Sequence, residues 1–195
     1  MYSFTLDTNC VVAVDECRPE AKAIRVLADA HLNGEADVAV VAIMASEKQR
    51  PGHTHENFEN FKSRLNSLGL GQLGMCLPMG YWDITFHDNS LLSGSEMIAM
   101  EQRIHHVLFP KIEFDYIDFC SSKGLDATST IRNKLKETWR NAKCDVQAFW
   151  SHVNSCRDVF VTNDKNFHKH EKKAALIALG GKGIEFPDSA VSFLS

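Results

Sequence analysis

The chain is 195 residues long, 44% of them hydrophobic and 24% charged, with 21 basic against 25 acidic side chains for a formal charge of −4. That composition suits one globular domain with a core of its own and excludes wholesale disorder. The longest apolar run, residues 38–45, is far short of the roughly 20 residues a membrane-spanning helix needs, so no bilayer crossing is expected.

Residues 1–7 lack the basic start and long apolar stretch of a secretory signal, and a cytoplasmic location is the default expectation. The six cysteines, at 10, 17, 76, 120, 144 and 156, contain no C-x-x-C pair and read as reduced, mostly buried thiols.

Residues 2–6 alternate apolar and polar side chains and stop at Asp7, Thr8 and Asn9, which predicts a short strand followed by a turn. Across residues 20–32, Ile24, Leu27, Ala28 and His31 share one helical face, with Pro19 suited to a first turn and Asn33-Gly34 to a stop. Residues 37–44 form a continuous apolar run without alternation, the pattern of a strand covered on both faces in a parallel sheet. From 51 to about 125 the pattern loosens. There Phe58, Phe61, Leu65 and Leu68 predict a helix closed by Gly69, Gly71 and Gly74, and residues 81–86 predict a strand. Ser95 as a cap before Met97, Met100, Ile104 and Leu108 predicts another helix ending at Pro110. This middle region reads as an insertion or elaboration on the sheet.

Regular patterning then resumes. Ile131, Leu135, Trp139 and Ala142 predict a helix from near Thr130, and Val146, Phe149 and Val153 a second one from around Asp145. Residues 158–162 predict a strand, 165–179 a helix ended by Gly180-Gly181, and 183–186 a last strand before Pro187. Helices alternating with buried strands make one α/β domain spanning residues 1–195.

Ligands of parallel sheets bind at the carboxyl ends of strands, near the point where strand order reverses. Asp7 follows the first predicted strand, Glu47 the second, and Asp164 the strand at 158–162, while Asp145 opens the helix leading into that strand. Taken singly, each acid has a plain structural explanation: aspartate caps helices, and a negative charge in a first turn gains about 0.3–1 kcal/mol from the helix dipole. Taken together, four carboxylates on one rim repel one another unless cations are held there, and an all-oxygen set favours Mg²⁺ or Mn²⁺ over Zn²⁺.

At these residues the sequence resembles a known family. Leu6-Asp7-Thr8-Asn9, then Ser46-Glu47, then Asp145 followed by Val161-Thr162-Asn163-Asp164, look like the PIN-domain nucleases. The tail from Gly183 to Pro187 resembles the short final strand and proline that close that fold, so the resemblance covers roughly residues 1–50 and 140–195. It implies a PIN-like three-layer α/β/α sandwich with a mostly parallel central sheet and an inserted middle at 51–125. It further implies a metal-dependent endoribonuclease in which Asp7, Glu47, Asp145 and Asp164 hold the metal and form the catalytic quartet, with Asn9 and Thr162 supporting the pocket. One or two Mg²⁺ or Mn²⁺ ions, about 3.5–4 Å apart if two, would act on RNA and leave a 5′-phosphate and a 3′-hydroxyl. Small members of the family often act as toxins neutralised by an inhibitory protein partner, others process or degrade RNA, and members are often homodimers. Two departures stand out. Many relatives carry a further acid where this chain has Asn166, and residues 51–125 match no part of the compact members.

An acidic rim needs basic residues nearby to hold a polyanion. Residues 132–143 carry net +4 and residues 165–173 net +3, leaving −11 for the remainder. Lys48, Arg50, Arg140, Lys143, Lys165 and Lys169 are therefore the expected nucleic-acid contacts, against the plainer reading of solvated helix faces. The histidine pairs at 53/55, 105/106 and 168/170 lack zinc-site spacing and any cysteine pair, although His168 and His170 lie beside the basic run. Tyr81, Trp82 and Phe86 suit base stacking, but their spacing favours core packing. Two other functions compete: a weak or inactive PIN-fold module that binds RNA or protein, and an aspartate-nucleophile phosphohydrolase. The latter wants a second aspartate where Asn9 stands.

Overall fold

The computed structural model describes residues 1–46, 58–82, 84–127 and 136–194. Five strands, β1 (Ser3–Leu6), β2 (Asp37–Val41), β3 (Gly74–Cys76), β4 (Val159–Val161) and β5 (Gly183–Glu185), form one sheet in the order β3-β2-β1-β4-β5. Every neighbouring pair is parallel, with Phe4 opposite both Val38 and Val159. The chain is an α/β protein with helices on both faces, and β1 is buried throughout from Phe4 to Leu6.

On one face lie α1 (Thr8–Asp15), α2 (Ala21–Leu32) and the short α8 (Pro187–Ala190), with α2 seated on β2 and on α8. On the other, α6 (Glu137–Asn154) crosses β2 and is flanked by α4 (Ser95–Leu108), which also meets α7 (His170–Leu176). Two further helices, α3 (Phe58–Ser67) and α5 (Tyr116–Ser122), belong to the middle of the chain. Among the described residues no helix is long and apolar enough to cross a membrane.

Several expectations need correction. Of residues 81–86 the described ones lie in turns and bends and in no strand; the strand of the middle region is instead β3, whose Gly74 sits against Ala39. The middle region, expected as an insertion or elaboration at 51–125, supplies an edge of the sheet through β3. The segment after Leu6 is helical at once, as α1. The two helices expected around Asp145 are one continuous α6 from Glu137; the expected start near Thr130, with Ile131 and Leu135, lies outside the described residues. The helix expected at 165–179 is a turn followed by α7 and a wider turn at Ile177–Gly181. Gly181 is required there, since a Cβ would stand 2.4 Å from Cζ of Phe149.

Phe149, Phe160 and Phe167 make a buried aromatic cluster with ring centroids 5.2–5.8 Å apart, and His152 packs into it. Ring Nδ1 of His152 lies 2.9 Å from Oγ1 of Thr5 on β1, and Nε2 lies 3.2 Å from the Gly181 carbonyl. Burial pushes this imidazole down to about 4 from its ordinary 6.5. The fold therefore holds it neutral while the unfolded chain binds a proton between those values, so stability falls as pH drops from about 6.5 towards 4. The loss expected from this residue is about 3 kcal/mol. Thermal melts across that range should show the slope for the wild type and a shallower one for His152→Gln; identical slopes would refute the assignment.

The amino edge of the sheet is closed by ions. Arg157 donates to the carboxylate of Asp37 at 2.9 Å and to the Phe4 carbonyl at 3.0 Å. Asp158 accepts from Lys182 at 2.8 Å and from the Ser3 hydroxyl at 2.7 Å, which hold its carboxyl down at about 2.

Candidate functional site at the carboxyl edge of the sheet

Strand order reverses between β1 and β4, so the carboxyl ends of these two strands border the crevice where ligands of such sheets bind. Asp7 leaves β1, and Thr162, Asn163 and Asp164 leave the neighbouring β4. The Asp7 amide donates to the Val161 carbonyl at 3.0 Å, which continues the ladder by one residue.

Asp7 is 4% exposed. Its Oδ1 accepts from the Thr8 amide at 2.8 Å, while Oδ2 accepts from Nδ2 of Asn9 at 2.6 Å and from the Thr162 hydroxyl at 2.7 Å. The capping explanation thus holds in part, since Asp7 stands at the N-terminus of α1. Thr162 Oγ1 also accepts from Asn9 Nδ2 at 2.9 Å and from the Asp164 amide at 3.0 Å, which fills both of its acceptor positions. Asn9 completes the clamp, its Oδ1 accepting from the Asn163 amide at 2.8 Å. Asp164 accepts from the Asn166 amide at 2.8 Å, an Asx turn that starts the 165–168 turn.

Burial pushes the Asp7 carboxyl up from 3.8 to about 6; the hydrogen bonds from Thr162, Thr8 and Asn9 oppose that rise, and the nearby charge of Asp164 adds to it. Among the described residues neither Asp7 nor Asp164 makes a salt bridge. The two edges of the sheet are therefore electrostatically opposite: Asp158 is matched by a lysine, and Asp7 shares its corner with another acid. The Cys10 thiol beneath them is pushed well above its usual range by burial and by Asp7, so it stays protonated there.

Asp145 lies mid-way along α6, so the first-turn dipole explanation does not apply to it. It is half-buried and sits seven residues, two helical turns or about 10.5 Å of helix, before His152, whose ring meets Thr5 of β1. Glu47, Lys48 and Arg50 lie outside the described residues. Among the described residues no three His, Cys, Asp or Glu side chains gather into a metal-holding group, so Asp7, Asp145 and Asp164 do not by themselves make a closed ion cage.

The Asn166 side chain is engaged by lysines, of which Lys172 also feels the charge of Asp164. Oδ1 of Asn166 accepts from Lys172 at 2.7 Å and Lys169 at 3.2 Å, and its Nδ2 donates to the Leu108 carbonyl. A carboxylate in its place would be paired with these lysines. Lys165 and Lys169 are exposed beside Asp164, and Arg140 is half-buried on α6; Arg132 and Lys134 lie outside the described residues. His168 is committed to the scaffold, with Nε2 2.9 Å from the Thr162 carbonyl and its ring stacked 3.6 Å from Phe186. The histidines at 53 and 55 lie outside the described residues.

Lys143 overturns its expected role. It is 2% exposed, its ammonium bonded at 2.9 Å to Glu101 and set over the rings of Phe114 at 3.9 Å and Tyr81 at 4.5 Å. A cation sealed between α6 and α4 presents no charge to a phosphate. Gln147 donates to the same Glu101 oxygen at 2.7 Å, and the Tyr81 hydroxyl donates to the other. Sequence reasoning missed Glu101, yet a signal was available: it falls among Met97, Met100, Ile104 and Leu108 on the apolar stripe of α4, where a charge must be paired.

No family model, no curated protein and no solved structure matches the chain.

Proposed function

We propose that the protein is a Mg²⁺- or Mn²⁺-dependent ribonuclease of the PIN kind, with its site at the carboxyl ends of β1 and β4. The observation that carries this reading is the Asp7–Asp164 pair: two carboxylates at the switch point, one deeply buried, with no salt bridge to either among the described residues. The donor chemistry suits the ion. Asp7 uses three of its about four acceptor positions on Thr8, Asn9 and Thr162, which leaves one direction on Oδ1, and Mg²⁺ commonly takes one or two carboxylates and fills its sphere with water and substrate phosphate. Asp7 and Asp164 would hold the ion, with Asp145 and Glu47 proposed as the other acids of the rim. When bound, a divalent ion polarises the phosphodiester and lowers the pKa of a water that attacks it.

The chain's own residues do the rest. Thr162 and Asn9 fix the Asp7 carboxylate so that it does not reorganise as charge develops, and Lys165 and Lys169 offer charge to the RNA backbone beside Asp164. RNA cleavage should require added Mg²⁺ or Mn²⁺ and be lost in EDTA and in Asp7→Asn; undiminished cleavage in EDTA would overturn the proposal.

Metal binding should also follow the protonation of Asp7. Because its carboxyl is raised to about 6, the ion competes with a proton below that pH. Calorimetric Mn²⁺ affinity is expected to weaken about tenfold per pH unit below 6 and to level off above it. A flat profile between pH 5 and 7.5 would exclude Asp7 as a ligand. A second reading, a PIN-fold module that binds RNA without cutting it, is favoured by one observation: only two acids converge among the described residues, with a neutral amide at Asn166. Absence of any Mn²⁺ binding would select it.

A further inference from the structure

The chain leaves the carboxyl end of β3 at Cys76, and Pro78 to Gly80 pair with Leu91. The Leu91 amide donates to the Pro78 carbonyl at 2.8 Å, and the Gly80 amide donates to the Leu91 carbonyl at 2.9 Å. Two buried polar anchors tie this loop to the helices. The Met79 amide donates to Gln147 of α6 at 2.9 Å, and the Tyr81 hydroxyl donates to Glu101 of α4. Thr85 tightens the turn through its hydroxyl, which accepts from the Tyr81 amide at 2.7 Å. Tyr81 is thus pinned inward while the next residue, Trp82, is turned out and 84% exposed, which corrects the expectation that it packs in the core.

Between Trp82 and the fully exposed Leu92 lies a cleft of about 360 Å³, with Gly80, Ser90 and Ser93 completing its walls. A Cβ at Gly80 would come within 3.3 Å of the Ser90 hydroxyl, so a larger residue would narrow the cleft. Its described lining residues, Gly80, Trp82, Ser90, Leu91, Leu92 and Ser93, are uncharged. The exposed indole of Trp82 with the Ser93 hydroxyl beside it matches what an unpaired nucleobase presents, a π-face with polar edges. The cleft stands at the low end of small-ligand pocket volumes and is too small for a protein interface, which buries upwards of about 1,000 Å². The segment that bears it leaves the carboxyl end of β3, the same end of the sheet at which Asp7 and Asp164 leave β1 and β4, and β3 stands two strands, about 10 Å, from β1.

We propose that this cleft receives one unpaired base of the RNA whose backbone the acidic pair engages, a few nucleotides from the cut bond. This inference rests on the nuclease reading, and it assigns that site a single-stranded substrate.

The three tryptophans make the test direct, because Trp139 and Trp150 are buried at 5% and 1% exposure and Trp82 is not. Titration of the whole chain with single-stranded oligoribonucleotides in EDTA should quench its fluorescence, and a duplex should not. Trp82→Ala should weaken single-strand binding about tenfold, and Trp82→Phe should keep most of the affinity while losing the quench. With Mn²⁺, Trp82→Ala should raise KM for single strands and leave kcat near wild type. Equal single-strand affinity in wild type and Trp82→Ala, or absence of quenching, overturns the cleft and leaves the nuclease reading standing if cleavage persists. Quenching and its loss in Trp82→Ala without cleavage under any metal would keep the cleft and end the hydrolytic reading. Neither binding nor cleavage overturns both.

Discussion

Asp164→Asn is expected to lower kcat/KM for RNA cleavage in Mn²⁺ by about a thousandfold, on the order of 4 kcal/mol of transition-state stabilisation. This variant isolates charge from shape. An asparagine keeps the oxygen that accepts from the Asn166 amide, so the Asx turn and the path out of β4 are retained. Asp7→Asn is a coarser tool, because its new amide must either face the donor Nδ2 of Asn9 or give up the Thr8 amide. Removing the charge of Asp164 also removes one cause of the raised Asp7 carboxyl. In EDTA at neutral pH the variant should consequently melt no lower than wild type, and it should lose the added stability that Mn²⁺ confers on the wild type. A variant that cleaves at close to the wild-type rate would show that Asp164 merely caps a turn.

Glu101→Ala should be the most damaging single change to stability, at about 3–5 kcal/mol, because it strands the Lys143 ammonium in a sealed site and removes the acceptor of Gln147 and Tyr81. For a chain of this size that is a fall in Tm of roughly 10–15 °C. Replacing the pair together, as Glu101→Met with Lys143→Met, should recover most of the loss, since apolar residues of similar volume leave no buried charge behind. The pH dependence has a definite sign. Burial holds the Lys143 amine below its ordinary 10.5, so the unfolded chain binds more protons in that window and stability rises with pH. Glu101 is what holds that amine up against burial, so its loss lowers the amine further and the deficit of Glu101→Ala should shrink as pH rises towards 10.5. Denaturant melts of the two variants check this, and a Glu101→Ala chain within 1 kcal/mol of wild type would refute the network's role. Because Tyr81 and Met79 hang on this network, Glu101→Ala should also loosen the turn that displays Trp82.

How much of this was readable beforehand varied with the locality of the signal. β1, β2, β4 and β5 announced themselves through short apolar runs bounded by turn residues. β3 did not, since Gly74–Cys76 has no periodicity and becomes a strand only by pairing with Ala39, Val40 and Val41. α6 looked like two helices because it is buried on two sides: Trp139 meets Tyr116 of α5 and Lys143 meets Glu101 of α4, while Phe149 and His152 meet the sheet. Asp7 and Asp164 stood out because polar residues ending apolar runs mark strand exits, whereas the fate of a lysine on a mixed helix face carries no such local mark.

The order of residues along the chain therefore decided the alternation of helix and strand and the position of acids just past the strands, both of which depend on side chains a few residues apart. Only the tertiary structure decided that β1 lies beside β4, which brings Asp7 to Thr162 across 155 positions of sequence. It likewise turned Lys143 inward onto Glu101 and Trp82 outward into water. Burial is set by whatever distant segments pack alongside, and a charge or an indole ring takes its meaning from those neighbours.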